Sequence, residues 1–157
     1  MLLFRFICAI LMAWAINWVL SHPEADVLLQ ELPIMGVISP LAAALVGFFN
    51  LASRQGWGLV VAVANGVWAG FLSVLVAGVV YTLVRGFEVG TGPANSYESF
   101  VRNMGAEVAP LFDLVVDFPL LTLTIITTAV LGVVTELLHW TLVRLRRNRE
   151  APSDSSA

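Results

Sequence analysis

An all-α integral membrane bundle of four helices is the fold class that this sequence predicts, and three observations predict it. The chain has 157 residues, of which 59% are hydrophobic and only 12% charged, whereas soluble domains carry about a quarter charged residues. Four apolar stretches reach the roughly 20 residues that a helix needs to cross a bilayer. The third stretch repeats small residues four apart, a spacing that lets helices pack closely in lipid. We therefore expect one transmembrane domain over residues 1–147.

The bounds of the spans follow from the apolar runs and from the residues that flank them. The second begins after Pro33, and the fourth opens with Pro119, which suits a first helical turn. The third carries no charge and is longer than a perpendicular crossing needs, which favours tilt. The predicted spans are 2–20, 34–52, 58–84 and 119–143.

The first span allows a second interpretation. Arg5 precedes an apolar run, and the segment Ala13-Trp14-Ala15 loosely resembles a signal-peptide cleavage site. The apolar run continues to Leu20, and tryptophans suit a membrane interface. Cleavage would leave three spans with the same orientation.

The small-residue face of the third span predicts a helix contact. Positions four apart lie on one helix face, and this face is almost bare of side chains. The partner helix belongs either to this chain or to a second copy. The predicted packing residues are Gly58, Ala62, Gly66 and Gly70.

The arginines predict the orientation. With the N-terminus in the cytoplasm, Arg5, Arg54 and four arginines at the C-terminus are inside, while Arg85 and Arg102 are outside. Because positive charge is enriched on the cytoplasmic side, both termini are expected there.

Residues 86–118 are predicted to form no span. From Asn95 onward, apolar residues recur every three or four positions, and Asn95 with Glu98 resembles a capping box. This predicts an amphipathic, interfacial segment between helices 3 and 4, which either lies on the outer membrane surface or docks a partner.

Polar groups inside the membrane are costly, so they are the candidate site. Glu136, with His139 one turn later, lies about 10 Å inside the fourth helix, and Asn65 lies equally deep in the third. Asn50 and Arg54 are expected nearby. The cluster is either a small polar or proton-binding site, or a structural device in which Glu136 reaches the interface or pairs with Arg54 or His139.

No enzyme signature accompanies this cluster. The sequence has no nucleotide-binding loop and no metal-spaced Cys/His pattern. We therefore expect no catalytic, cofactor-binding or metal-binding residues. The arginine-rich C-terminus is expected to touch anionic lipid rather than nucleic acid, and 148–157 to form a disordered cytoplasmic tail.

Several short motifs resemble the TrgA family of small proteobacterial inner-membrane proteins linked to tellurite resistance. The turn Arg54-Gln55-Gly56-Trp57-Gly58, the pair Asn65-Gly66, Tyr97 with Phe100, Phe112-Asp113 and Thr135-Glu136 carry the resemblance. Asn95-Ser96-Tyr97 departs from the more basic loop of that family, and Val and Ala replace aromatic residues in the third helix.

The resemblance implies a multi-pass protein of the bacterial inner membrane that contributes to tellurite resistance without catalysis, and it brings no site residues. A second hypothesis belongs to a different class of function: the chain is an accessory subunit that docks into a larger membrane complex. The lipid bilayer is the expected partner, with other subunits or self-association through the Gly/Ala face as further candidates.

Overall fold

In the part of the chain that the structure describes, four long helices and one short helix make up the fold, and residues 101–102, 105–106 and 108 are also helical. The computed structural model describes residues 2–90, 101–102, 105–106, 108 and 118–150. A 3-10 turn, Pro23–Ala25, precedes the short helix, and a second, Leu51–Ser53, follows the second long helix. The helices are α1 (Leu2–Leu20), α2 (Asp26–Glu31), α3 (Met35–Phe49), α4 (Leu59–Gly90) and α5 (Phe118–Glu150).

The four long helices are long and apolar enough to cross a membrane, which confirms the predicted all-α four-helix bundle. This is the architecture of a multi-pass membrane protein. The qualifying segments are Leu2–Leu20, Met35–Ser53, Leu59–Gly86 and Pro119–Arg147.

The long helices form a ring in which each packs against two neighbours. Helix α1 contacts α3, α3 contacts α4, α4 contacts α5, and α5 closes the ring against α1. Residues 50–58 connect α3 to α4 at one end of the ring, which we call the turn end. The rings of Phe4, near the start of α1, and His139, in the second half of α5, are in contact at this end. Helices α1 and α4 therefore begin at the turn end and α3 and α5 end there, so successive long helices run in opposite directions.

Large apolar side chains cover the outside of the bundle. Val60 is 85% exposed and Ile10 67% exposed, and many similar residues share this orientation. Apolar surface on this scale marks a membrane or partner interface. The interior combines small side chains, among them the fully buried Ala43 and Ala69, with larger ones such as Leu51.

The closest helix contact joins α4 to α5. A Cβ atom on Gly66 would meet the Thr128 carbonyl oxygen and lie 3.0 Å from the Ala129 Cα, and a Cβ on Gly70 would meet the Thr128 side chain. From the other side, Gly132 packs against the Ala62 carbonyl and the Gly66 Cα. The partner of this face is therefore a helix of the same chain.

Gly58 does not belong to that contact, contrary to the prediction. Helix α4 begins at Leu59, and a Cβ on Gly58 would meet no heavy atom within 4 Å. Gly58 has a φ of +99°, so glycine is needed at this position for the backbone conformation of the turn and not for helix packing.

Helix α1 is tightly packed into the ring. A Cβ on Gly47 of α3 would lie 2.6 Å from the Cys8 carbonyl oxygen and 2.9 Å from the Met12 Cβ. Cys8 and Met12 are fully buried. In this structure the first span therefore supplies part of the bundle core.

Two boundaries differ from the sequence prediction. Helix α4 continues to Gly90, beyond the expected end at 84, and α5 continues to Glu150, so the predicted disordered tail does not begin at 148. Residues 151–157 lie outside the described residues, as does most of the predicted amphipathic segment, including Asn95 and Glu98.

Candidate functional site at the turn end

The turn between α3 and α4 needs glycine at two positions. Gly56 and Gly58 have φ values of +97° and +99°, a conformation that residues with a Cβ rarely adopt. The Gly58 carbonyl oxygen accepts the Ala62 N–H at 2.9 Å, which is the first hydrogen bond of α4. The two glycines therefore let the chain reverse and enter α4 directly.

Glu136 of α5 binds the backbone of this turn. The Gly56 N–H donates to its Oε2 atom at 2.7 Å, and the Gly58 N–H donates to its Oε1 atom at 3.0 Å. The side chain is only 1% exposed. Hydrogen bonds to an ionised group are stronger than neutral ones, and the positive end of α4 begins beside the carboxylate. Backbone dipoles therefore accommodate this buried acidic group.

Gln55 adds a second link between the turn and α5. Its Nε2 atom donates to the Leu51 carbonyl and to the Thr135 Oγ1 atom, both at 3.0 Å. The Thr135 hydroxyl in turn donates within its own helix, toward the carbonyls of Leu131 and Gly132. The Thr135 hydroxyl oxygen thus accepts a hydrogen bond from Gln55, while its proton is donated to backbone carbonyls of α5.

Asn65 holds the same turn from α4. Its Nδ2 atom donates to the Arg54 carbonyl at 3.0 Å, and the residue is buried. Two helices, α4 and α5, therefore hold the five-residue turn 54–58. We call Gln55, Asn65, Thr135 and Glu136 the turn clamp.

The structure brings together only some of the sequence candidates. Glu136 and Asn65 bind the same turn, but they bind different backbone groups and not each other. Arg54 contributes its carbonyl, while its side chain is exposed. The Asn50 Oδ1 atom is buried without a hydrogen-bond partner among the described residues.

One interpretation of the sequence paired Glu136 with Arg54 or His139, and the structure gives the carboxylate other partners. Its two acceptor atoms bind backbone amides instead. The His139 ring packs edge-on against Phe4, with ring centroids 5.5 Å apart. Every residue except proline has a backbone amide, so the sequence could not single out the Gly56 and Gly58 N–H groups as partners of the carboxylate.

Gln55, Gly56, Thr135 and Gly132 were not among the candidate residues. Two glycines in a five-residue turn signal positive φ angles, and Thr135 adjoins the only acidic residue of its span. Gly132 lies four residues before Glu136, so it shares the face that meets the α4 ladder. These signals were present but weak.

The chemistry available to the clamp is limited. Both Glu136 oxygens are engaged, and the described residues contain no group of three His, Cys, Asp or Glu side chains able to hold a metal ion. On the outside of the turn, an open pocket of about 270 Å³ is lined by Ser53, Arg54, Trp57, Val61 and Asn65. The clamp can hold a turn and place Arg54 and Trp57 beside this pocket.

Comparisons of the chain with family models, curated proteins and solved structures found no match.

Proposed function

We propose that this chain is a TrgA-like protein of the bacterial inner membrane that contributes to tellurite resistance without catalysing a reaction. One observation carries the proposal. Three motifs carry the resemblance: the segment 54–58, the pair Asn65-Gly66 shortly after it, and the pair Thr135-Glu136 about 80 residues later. Residues of all three meet in one hydrogen-bonded cluster. A shared architecture would require such motifs to occur together.

The clamp supports a scaffolding role. It joins α4 and α5 to the turn through buried side chains, and both oxygens of Glu136 are already bound to backbone amides. Trp57, at 77% exposed, and the exposed Arg54 project from the turn. We assign the contact with an anion or a partner to Arg54, and the positioning of the turn to Glu136.

The orientation belongs to the proposal, with both termini in the cytoplasm. Its support is that Arg5, Arg54, Arg144, Arg146 and Arg147 lie toward the turn end, where α1 and α4 begin and α3 and α5 end. Positive charge favours the cytoplasmic side. Fusions of a cytoplasm-active and a periplasm-active reporter to the C-terminus test this, and periplasmic activity alone would reverse the assignment.

The resistance proposal is tested by growth of a deletion strain across tellurite concentrations. Wild type, Arg54→Gln and Glu136→Ala are restored separately, and the amount of each protein in the membrane is measured. We expect wild type to restore tolerance, Glu136→Ala to lower both protein level and tolerance, and Arg54→Gln to lower tolerance at a normal level. Unchanged tolerance in the deletion strain would refute the proposal.

An accessory-subunit role is the second candidate. Helix α5 covers the small-residue face of α4, so a partner would need another surface. Trp68 and Phe71 form a stacked pair on α4, with centroids 5.7 Å apart and both side chains nearly half exposed. A stoichiometric partner that co-purifies in mild detergent, and is lost in Trp68→Ala, would favour this role over the first.

A further inference from the structure

A second pocket opens at the turn end, and its lining shares no residue with the pocket beside Arg54. It is an open depression of about 550 Å³, lined by Gly56, His139, Trp140, Val143, Arg144 and Arg147. Five of these residues come from the last turns of α5, and none belongs to the turn clamp. The glycine leaves room here, because a Cβ on Gly56 would project to 3.4 Å from the His139 Nε2 atom.

The charged residues that line the pocket are all arginines. Arg144 and Arg147 are three residues apart, so their side chains lie on the same helix face, and both are exposed. No carboxylate lines the pocket, and the two oxygens of nearby Glu136 bind backbone amides. Among the described residues, neither guanidinium has an ion-pair partner.

The surroundings match the level of lipid headgroups. The pocket lies where the apolar span ends, at Arg147, and Trp140 is 46% exposed at its edge. Tryptophan favours this interface, and basic pockets between membrane helices bind anionic headgroups. Guanidinium groups bind phosphate oxygens through paired hydrogen bonds, with geometry that a lysine lacks.

We propose that this pocket binds a phosphate group, held by Arg144 and Arg147 beside the His139 and Trp140 rings. The phosphate belongs to an anionic phospholipid of the adjoining leaflet or to a free oxyanion. The site is separate from the turn clamp and does not depend on the tellurite proposal.

The test uses the full-length protein in nanodiscs of phosphatidylcholine with added phosphatidylglycerol. Lipids that stay bound after extraction into mild detergent are counted by native mass spectrometry. Because a basic residue near anionic lipid contributes a modest attraction, Arg144→Gln and Arg147→Gln should each weaken phosphatidylglycerol binding about fivefold. Arg146→Gln is the matched control, since it removes the same charge one position away and does not line the pocket.

The outcomes separate the alternatives. Losses confined to Arg144→Gln and Arg147→Gln support the pocket, whereas equal losses in all three variants would show diffuse attraction and overturn it. Inorganic phosphate is titrated into protein in phosphatidylcholine alone by calorimetry. Binding that the two pocket variants lose identifies a free oxyanion as sufficient, whereas lipid retention without phosphate binding identifies the headgroup. Absence of both overturns the proposal.

Discussion

Replacing Glu136 by glutamine tests the turn clamp most directly, because it keeps the shape and removes the charge. Hydrogen bonds to charged groups contribute about 1.5–3 kcal/mol each. Glutamine can accept from one of the two glycine amides, but its NH₂ group would face the other N–H. One bond is lost and one buried donor is left unsatisfied, so we expect the free energy of unfolding to fall by about 2–4 kcal/mol.

Two effects oppose this loss. Removing a buried charge relieves its desolvation cost, and side-chain hydrogen bonds in membrane bundles average only about 0.6 kcal/mol. At Glu136 the carboxylate already receives two amide protons beside the start of α4, so the relief is smaller than for an unsolvated charge. The net change should therefore remain well above 1 kcal/mol.

Two probes measure the change during unfolding with SDS. Far-UV circular dichroism follows helix content, and thiol labelling follows Cys8, the single cysteine of the chain, which is fully buried. A loss of about 3 kcal/mol raises the open population more than about 100-fold, since each 1.4 kcal/mol is tenfold. Cys8 labelling should accelerate accordingly.

Glu31→Gln is the matched control, because it removes the same carboxylate from an exposed position at the end of α2. It should change stability by less than about 0.5 kcal/mol. If Glu136→Gln falls within the same narrow range, Glu136 does not hold the two amides with its charge, and the reasoning is refuted.

Three further predictions use the same unfolding assays. Gly66→Ala should lower the free energy of unfolding by about 1–3 kcal/mol, because the added methyl group meets the α5 backbone. Ala64→Val, on the exposed face of the same helix, should leave the free energy of unfolding nearly unchanged. Equal losses in the two variants would contradict the close contact. Gly58→Ala should cost about 1–2 kcal/mol from its positive φ alone, and no loss would show that the turn relaxes. Thr135→Val and Gln55→Leu should be coupled by about 0.5–1.5 kcal/mol in a double-mutant cycle, because each removes the same bond; additive losses would exclude that bond.

The spans were predictable because a bilayer imposes simple requirements on sequence. A crossing helix needs a long apolar run, and a close helix contact needs small residues at fixed spacing. The expected starts at 34 and 119 agree with the structure within a residue or two. The predicted spans end at 84 and 143, whereas α4 and α5 continue as helices to Gly90 and Glu150, beyond the apolar run, where hydropathy no longer marks the helix boundary.

The candidate site was predictable in part. Glu136 and Asn65 stand out because polar groups in lipid are rare and costly, and equal depth placed them at the same end of the bundle. Their bonding partners could not be read from sequence, because both bind main-chain groups of one loop. Gln55 has an ordinary side chain in a turn, and only the packing against Thr135 gives it a role.

The sequence by itself determined four helices that are long and apolar enough to cross a membrane, since the length of an apolar run depends only on local composition. The tertiary structure decided which groups meet. It assigned the small-residue face of α4 to α5, reserved Gly58 for the turn, and placed a buried carboxylate against two glycine amides. These choices depend on the relative rotation and depth of separate helices, which no single segment encodes.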